Sequence, residues 1–390
     1  LTLIGMTIIA TVLAPVAGSV PSPSGEKSEL KARATNNTTY VSTLSSINRS
    51  SFSSTSLDIS TALQVSYSNA STRLKRYLIR QRFNAINTPE GRRKYLVNLS
   101  QAVLEEATQL LIREKESRQR FQSNRIDAGH YLVILGELHA QAGNLRAIIN
   151  EINGLRQQLP ESGEQIQRSL LIATAKLITL RGPVRSRALH GVLGGQSQGR
   201  TFVGVSQRGV VLASIINGDY VHESSFDTEY QPSTLEIGEA SEIYKNYYTW
   251  GWDSSSARIS GLIVAFSSSF AYDHGVVESY LDGTTGTVYR EIQRKDISAL
   301  PSGSATSVSR EGLTLVVNRT YPGGPLRVSV HHASGAPANA VIRINGTAVG
   351  STGSDGVLWT IGGDAQFAVI ADTGETQLTL FIRPLRDQSS

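Results

Sequence analysis

Five residues, Gly195-Gln196-Ser197-Gln198-Gly199, match the Gly-x-Ser-x-Gly pattern that lifts a nucleophilic serine onto a sharp strand-to-helix turn. That chemistry needs a strand before the serine and a helix after it. Here a helical pattern precedes and strand patterns follow, so the stretch reads as a glycine-rich linker. The histidines, His130, His139, His190, His222, His274, His331 and His332, are scattered along the chain. Their one adjacent pair, His331-His332, points to opposite faces if it sits on a strand, which gives no shared metal position. Asp273-His274 and Asp282 lie beside an expected hairpin, where polar turn residues need no further role. Trp250 and Trp252, around Gly251, read as packing at a helix end rather than a stacking platform. The 390 residues include no cysteine, which excludes disulfides, thiolate metal sites and a cysteine nucleophile. The expectation is a non-enzyme with no catalytic, cofactor-binding or metal residues, no cofactor and no evident small-molecule substrate.

One modification chemistry is spread over the whole chain. Asn36, Asn37, Asn48, Asn69, Asn98, Asn318 and Asn345 each open an Asn-x-Ser/Thr triplet, the acceptor pattern of an exported, N-glycosylated protein. The leader agrees. Leu1 to Val20 holds no charged residue, and its apolar run from Leu3 to Leu13 ends in Ala14-Pro15-Val16-Ala17-Gly18, which reads as a signal peptide over 1–18 cleaved near Ala17 or Gly18. A basic segment ahead of the apolar run is missing, and the alternative is an uncleaved N-terminal membrane anchor. Extracellular or cell-surface placement follows from either reading.

The elements are organised around Thr88 to Pro160, where two amphipathic helices follow each other across a turn at Asn124 to Gly129. Leu132, Leu135, Leu138, Ala142, Leu145, Ile149, Ile152, Leu155 and Leu159 recur at steps of three or four, lining one face of the second helix. The first opens on Thr88-Pro89, an N-cap with proline at the first helical position, and carries Leu96, Leu99, Val103, Leu110 and Phe121. Such helices lie antiparallel and bury both stripes. A helix over about 56–85, with Leu63, Leu74, Tyr77 and Leu78 as its apolar positions, and a fourth capped by Ser162-Gly163-Glu164-Gln165 complete a bundle or coiled-coil stem over 56–190. Residues 19–55 read as a flexible Ser/Thr/Asn-rich linker.

From Thr201 the period changes. Strands are expected at Thr201 to Val205, Val210 to Ile216, Ile259 to Phe270, Val276 to Leu281 and Thr287 to Ile292, with a helix over Leu235 to Trp250 and a hairpin turn at Asp282 to Gly286. This is an α+β unit over 200–300. A polar linker at Ser302 to Ser309 leads to six short strands, from Leu313 to Ile382, which suggest an Ig-like antiparallel sandwich over 310–386.

Leu180-Arg181-Gly182-Pro183-Val184-Arg185, and Val317-Asn318-Arg319-Thr320-Tyr321-Pro322-Gly323-Gly324-Pro325-Leu326, resemble an uncharacterised family of exported haloarchaeal proteins. The resemblance covers nearly the whole chain. Ser279 to Tyr289 is similar to the hairpin of PepSY-type domains, and Val349 to Trp359 to the turn of carboxypeptidase-regulatory or Ig-like modules. The family has no established activity, so the resemblance implies no catalytic residues. Halophilic proteins are strongly acidic, and this chain departs from that habit with a net charge of +5. The architecture expected is α, then α+β, then β.

Function follows the same outline: a secreted or surface-tethered structural or interaction protein whose partner is a cell-envelope protein or glycan. The alternative is a regulator of an extracellular peptidase, because PepSY-like domains resemble parts of metallopeptidase propeptides. Nucleic acid is not expected, since clustered basic residues interleaved with aromatics are missing. Between Arg73 and Arg125, thirteen Lys and Arg face five Glu, which reads as a solvated helix face; the alternative is a face for docking on an acidic surface layer, anionic glycan or lipid head group through Arg76, Arg80, Arg92 and Arg93.

Overall fold

The computed structural model describes residues 47–384, apart from 161–162, 196–198, 250, 253–256, 262–263, 273, 301–303, 322 and 364. The leader, Asn36, Asn37, Ser197, Trp250 and Asp273 therefore lie outside the described residues.

Five helices come first: α1 (Ile59–Ala85), α2 (Pro89–Gln122), α3 (Ala128–Arg156), α4 (Glu164–Ile178) and α5 (Pro183–Val192). The first three start where a side chain can satisfy their free N–H groups. Asp58 accepts from Thr61 N at 2.8 Å, Thr88 from Gly91 N at 3.2 Å, and Asp127 from His130 N at 2.8 Å. Helix α4 differs: it begins after Gly163, left-handed at φ 56, with no side-chain cap, and Ser162 lies outside the described residues. Helix α3 is the hydrophobic centre. Its C-terminal half, Ala142 to Leu155, packs among Phe83 of α1, Leu96 and Val103 of α2, and Leu170 and Leu177 of α4. Its N-terminal half, Tyr131 to Leu138, packs instead against Val184 and Ala188 of α5 and against a β-sheet.

That sheet has eight antiparallel strands: β1 (Arg49–Ser53), β2 (Thr201–Val205), β3 (Gly209–Ile216), β4 (Asp219–Phe226), β5 (Arg258–Gly261), β6 (Ala265–Tyr272), β7 (Gly275–Asp282) and β8 (Val288–Asp296), ordered β1-β2-β3-β4-β8-β7-β6-β5. The helices cover one face through Val203, Val205, Leu212, Val221 and Ile292. Helix α6 (Ile237–Tyr247) covers the β5–β8 end of the other face through Tyr244, Phe270, Val277 and Leu281. The β7–β8 hairpin turns where expected, and Asp282 is its organiser: Oδ1 accepts from Thr284 N at 2.9 Å and Thr285 N at 2.8 Å. Trp252 stacks on Tyr244 with ring centroids 6.1 Å apart, which is packing at a helix end.

The C-terminal sandwich pairs β14-β11-β10-β9 with β13-β12-β15-β16, where β9 is Ser304–Arg310, β10 Leu313–Arg319, β11 Pro325–His332, β12 Val341–Ile344, β13 Thr347–Ser351, β14 Val357–Ile361, β15 Phe367–Asp372 and β16 Gln377–Ile382. It sits on the free part of the large sheet. Tyr220 of β4 lies edge-on to Tyr321, 6.2 Å between centroids, and donates its hydroxyl to Gly323 O at 2.9 Å, while Ile361 joins Phe202 and Val211 in one buried cluster.

Four expectations are corrected. The helices do not stand as a separate stem, because α3 is apolar on too many sides to be satisfied by other helices and turns half its length to the sheet. Residues 49–53, expected as flexible linker, form edge strand β1, with Phe52 against Phe202 at 5.3 Å. Residues 304–309, expected as linker, belong to edge strand β9, whose mostly exposed Ser and Thr leave no hydrophobic period to read. In α1 the apolar positions picked out from sequence, Leu63, Leu74, Tyr77 and Leu78, are exposed, and Val65, Ile79 and Phe83 are buried. Replacing Tyr220 by Phe strands the buried Gly323 carbonyl at the sheet-sandwich contact, and equilibrium urea unfolding should show a loss of about 1–3 kcal/mol.

Candidate anion-binding site

The joint between α4 and α5 is built from Arg181-Gly182-Pro183-Val184-Arg185. Pro183 occupies the first turn of α5, where its missing N–H costs nothing. The next free donor, Val184 N, reaches across to Glu223 Oε2 at 3.0 Å, so the positive end of α5 is filled by a carboxylate from β4. Arg185 and Arg290 close on the other carboxylate oxygen, Arg290 at 3.3 Å, and Arg185 also donates to Ser225 Oγ at 3.2 Å. Glu223, Arg185 and Arg290 are all buried. Only glycine fits at 182, because a Cβ there would lie 2.2 Å from Glu223 Oε2 and 2.4 Å from an Arg290 nitrogen.

The electrostatics follow from that packing. Burial alone would raise the Glu223 carboxyl, but Arg290 and Arg185 and the Val184 N–H outweigh it and hold it down to about 2. His139 of α3 is pushed down to about 4, chiefly by burial, and its Nδ1 accepts from Gly182 N at 3.3 Å as a neutral ring must. Arg181 is lowered from its ordinary value by burial and then by the charge of Arg146.

Outside this joint lies a cleft of about 340 Å³ with His139 and Arg146 of α3 on one wall, Arg181 and Ser186 on another, and Tyr280, Arg290 and Arg294 of the sheet as its floor. Among its described lining residues four arginines face a single carboxylate, Glu278. The cleft shares Pro183, Ser186 and Arg294 with a larger groove of about 1140 Å³ between α5, the sheet and the sandwich, which adds Arg187, His190, Arg200 and Trp359 and no carboxylate. The Nε–H groups of Arg181, Arg187 and Arg200 are buried and find no acceptor among the described residues. The arrangement offers fixed positive charge, buried donors and two half-exposed aromatic faces, Tyr280 and Trp359.

The residues singled out from sequence are not brought together here, apart from His139 and His190. His222 is buried on the opposite face of the sheet from Glu223, and His331 and His332 lie on β11. Among the described residues no group of three or more His, Asp or Glu is placed to hold a metal ion, and no helix is long and apolar enough to cross a membrane. Asn48, Asn69, Asn98 and Asn345 are exposed, whereas Asn318 is half-buried on β10. The basic face on the helices is partly spent internally: Arg76 and Arg80 bind Glu151 at 3.2 and 2.8 Å, and Arg92 caps Ile86 O at 2.8 Å. On the far face of the sheet Lys295, pushed down to about 7 by burial, donates to Tyr321 Oη at 3.2 Å, and Tyr248 donates to Glu291 at 2.6 Å, in a layer covered by the sandwich and α6.

Glu223→Gln removes the charge and leaves Arg185 and Arg290 buried without it, which should cost about 3–5 kcal/mol in urea unfolding at neutral pH. The acid limb tests the same interaction. With a folded value of about 2 against an ordinary 4.5, the ionised group's contribution is complete above pH 4.5 and is lost as pH falls towards 2, so the variant's stability should be flatter across that window.

No curated protein and no solved structure matches the chain. Three family models do. Residues 304–380 match an archaeal fibronectin-III type-like domain, residues 201–301 a family of unknown function, DUF7094, and residues 1–197 a domain of unknown function, DUF7096. The first agrees with an uncharacterised archaeal family carrying a C-terminal Ig-like module. The last spans half of the 390 residues, and the chain belongs to the DUF7096 family.

Proposed function

We propose that the protein is an exported, cell-surface binding protein without catalytic activity, and that its arginine-lined cleft and groove hold an acidic glycan of the cell envelope. The observation that carries this is the charge of the lining: besides Arg290, which is paired with Glu223, five arginines across the two concavities face Glu278 alone among the described lining residues. Arginine pairs with carboxylate or sulfate groups through its planar fork, and aromatic faces such as Tyr280 and Trp359 pack against sugar rings. Export is supported by the apolar leader, and surface exposure by the sequons Asn48, Asn69, Asn98 and Asn345. A haloarchaeal source sets the working range of such a site. At about 1 M salt the Debye length is about 3 Å, so only direct arginine contacts contribute and long-range steering is lost.

Isothermal titration with an oligogalacturonate hexamer should show binding that weakens as salt rises from low to molar concentration. The Arg181→Gln/Arg294→Gln double variant should lose at least ~10-fold in affinity, the scale of one or two charge-assisted hydrogen bonds. Equal binding of a neutral oligosaccharide, or full affinity in the double variant, would sink the reading. A second reading, regulation of an extracellular peptidase, rests on the likeness of the Ser279 to Tyr289 hairpin to PepSY-type domains. It predicts inhibition of a secreted metallopeptidase by the purified chain, measured by peptide hydrolysis, and the titration above does not depend on it.

A further inference from the structure

Helix α1 is apolar on two opposite sides, and the other described residues cover only one. Val65, Ile79 and Phe83 are buried against the bundle. Ile59, Leu63, Tyr67, Leu74, Tyr77 and Leu78 are exposed, by 54 to 77 %. At about 100° per residue these six and Ala70 fall within a stripe about 100° wide running most of the helix's length. From Leu63 the steps are 4, 3, 4 and 3, through Tyr67, Ala70, Leu74 to Tyr77, the spacing of a coiled-coil seam. The exposed side chains amount to roughly 800 Å², comparable with the ~800 Å² that each partner contributes to a standard stable interface. A solvated amphipathic helix does not carry such a patch without cover.

We propose that this stripe is the interface of a homodimer, in which α1 of one copy packs antiparallel against α1 of a second. The direction follows from charge. Ile59 to Thr72 contains no charged residue, and all five cations of the helix, Arg73, Lys75, Arg76, Arg80 and Arg82, lie in its remaining part. Parallel pairing would set Arg73 and Arg82 beside their own copies at equal heights. Antiparallel pairing sets each cationic end beside the uncharged end of the partner. A two-fold axis at Ala70 is consistent with the side chains: the small residue allows the helices to approach at the crossing, Leu63 meets Tyr77, and Tyr67 meets Leu74. The interface is isologous, as closed two-fold dimers require. Asn69 lies about 130° round the helix from the centre of the stripe, so a glycan there points away from the contact.

Sedimentation equilibrium of the full chain should give twice the mass of one copy, and Leu63→Glu/Leu74→Glu should return it to the monomer with its thermal transition unchanged, because neither residue touches the bundle core. The absence of native cysteine makes orientation measurable. Under mild oxidation Ala70→Cys should link to itself, and an equimolar mixture of Leu63→Cys and Tyr77→Cys chains should give the mixed dimer in excess over either self-linked product. Self-linking of Leu63→Cys alone to the same extent would replace the antiparallel arrangement by a parallel one. A monomeric full chain overturns the proposal outright, as does a monomer that floats with anionic lipid vesicles and loses that property in the Leu63→Glu/Leu74→Glu variant.

Discussion

The structure depends on one carboxylate that has been taken out of water. Glu223 sits on a central strand of the large sheet, and the groups that chiefly make it tolerable come from elsewhere: the first free N–H of α5, the guanidinium of Arg185, and that of Arg290 from the neighbouring strand. A buried ion pair contributes little net stability compared with well-packed apolar residues, because desolvation cancels most of the attraction. Its stronger effect is on register. Only one placement of α5 over the sheet brings Val184 N, Arg185 and Arg290 to the same carboxylate, and a shift of one residue along β4 would turn Glu223 to the opposite face. The helices are thereby fixed on the sheet, and Arg181, whose carbonyl accepts from Arg290, is held at the lip of the cleft.

This explains which parts of the fold can be read from sequence. Where burial is apolar the period is legible: Thr201–Val205 is a strand with the expected limits, the Asp282 hairpin turns as its Asp-Gly and Thr residues dictate, and six sandwich strands from Leu313 onward fall where alternation places them. Strand β4, Asp-Tyr-Val-His-Glu-Ser-Ser-Phe, is as deeply buried as any of these, yet five of its eight residues are polar. Hydropathy reads it as loop, and with it goes the residue on which the helix-sheet joint turns. Strands β1 and β9 are hidden for the opposite reason, being edges that bury little.

Site residues show the same division. Arg181 to Arg185 stands out in the sequence as a motif, and its glycine and proline mark a break between helices, but nothing local says that the break is a socket for a carboxylate 38 to 42 residues further on. Arg290 and Arg294 alternate with Ile292 on β8, so their common face is implied by strand period alone. What period cannot supply is the facing wall, which α3 provides from about 150 residues earlier. The helices' exposed stripe was legible as apolar positions in α1 and misassigned in direction, since an amphipathic pattern tells that a face is covered and not by which chain.

Net charge is an equally poor guide to where charge acts. The basic excess between Arg73 and Arg125 looks like one docking face, but Arg113 is held by Glu137 at 2.6 Å and Arg118 by Asp227 at 2.7 Å, in addition to the pairs on Glu151. Much of that excess is structural. The arginines that outnumber the carboxylates around the cleft and groove are drawn from α3, the α4–α5 joint, β8 and the residue before β2, which are distant in sequence and meet only because the sheet is covered on both faces. The sandwich completes the arrangement. Its Tyr321 and Gly323, held by Tyr220, set it on the sheet, and Arg200 binds the Ile361 carbonyl at the end of the strand that carries Trp359. The contact that joins the domains therefore also sets the aromatic side of the groove.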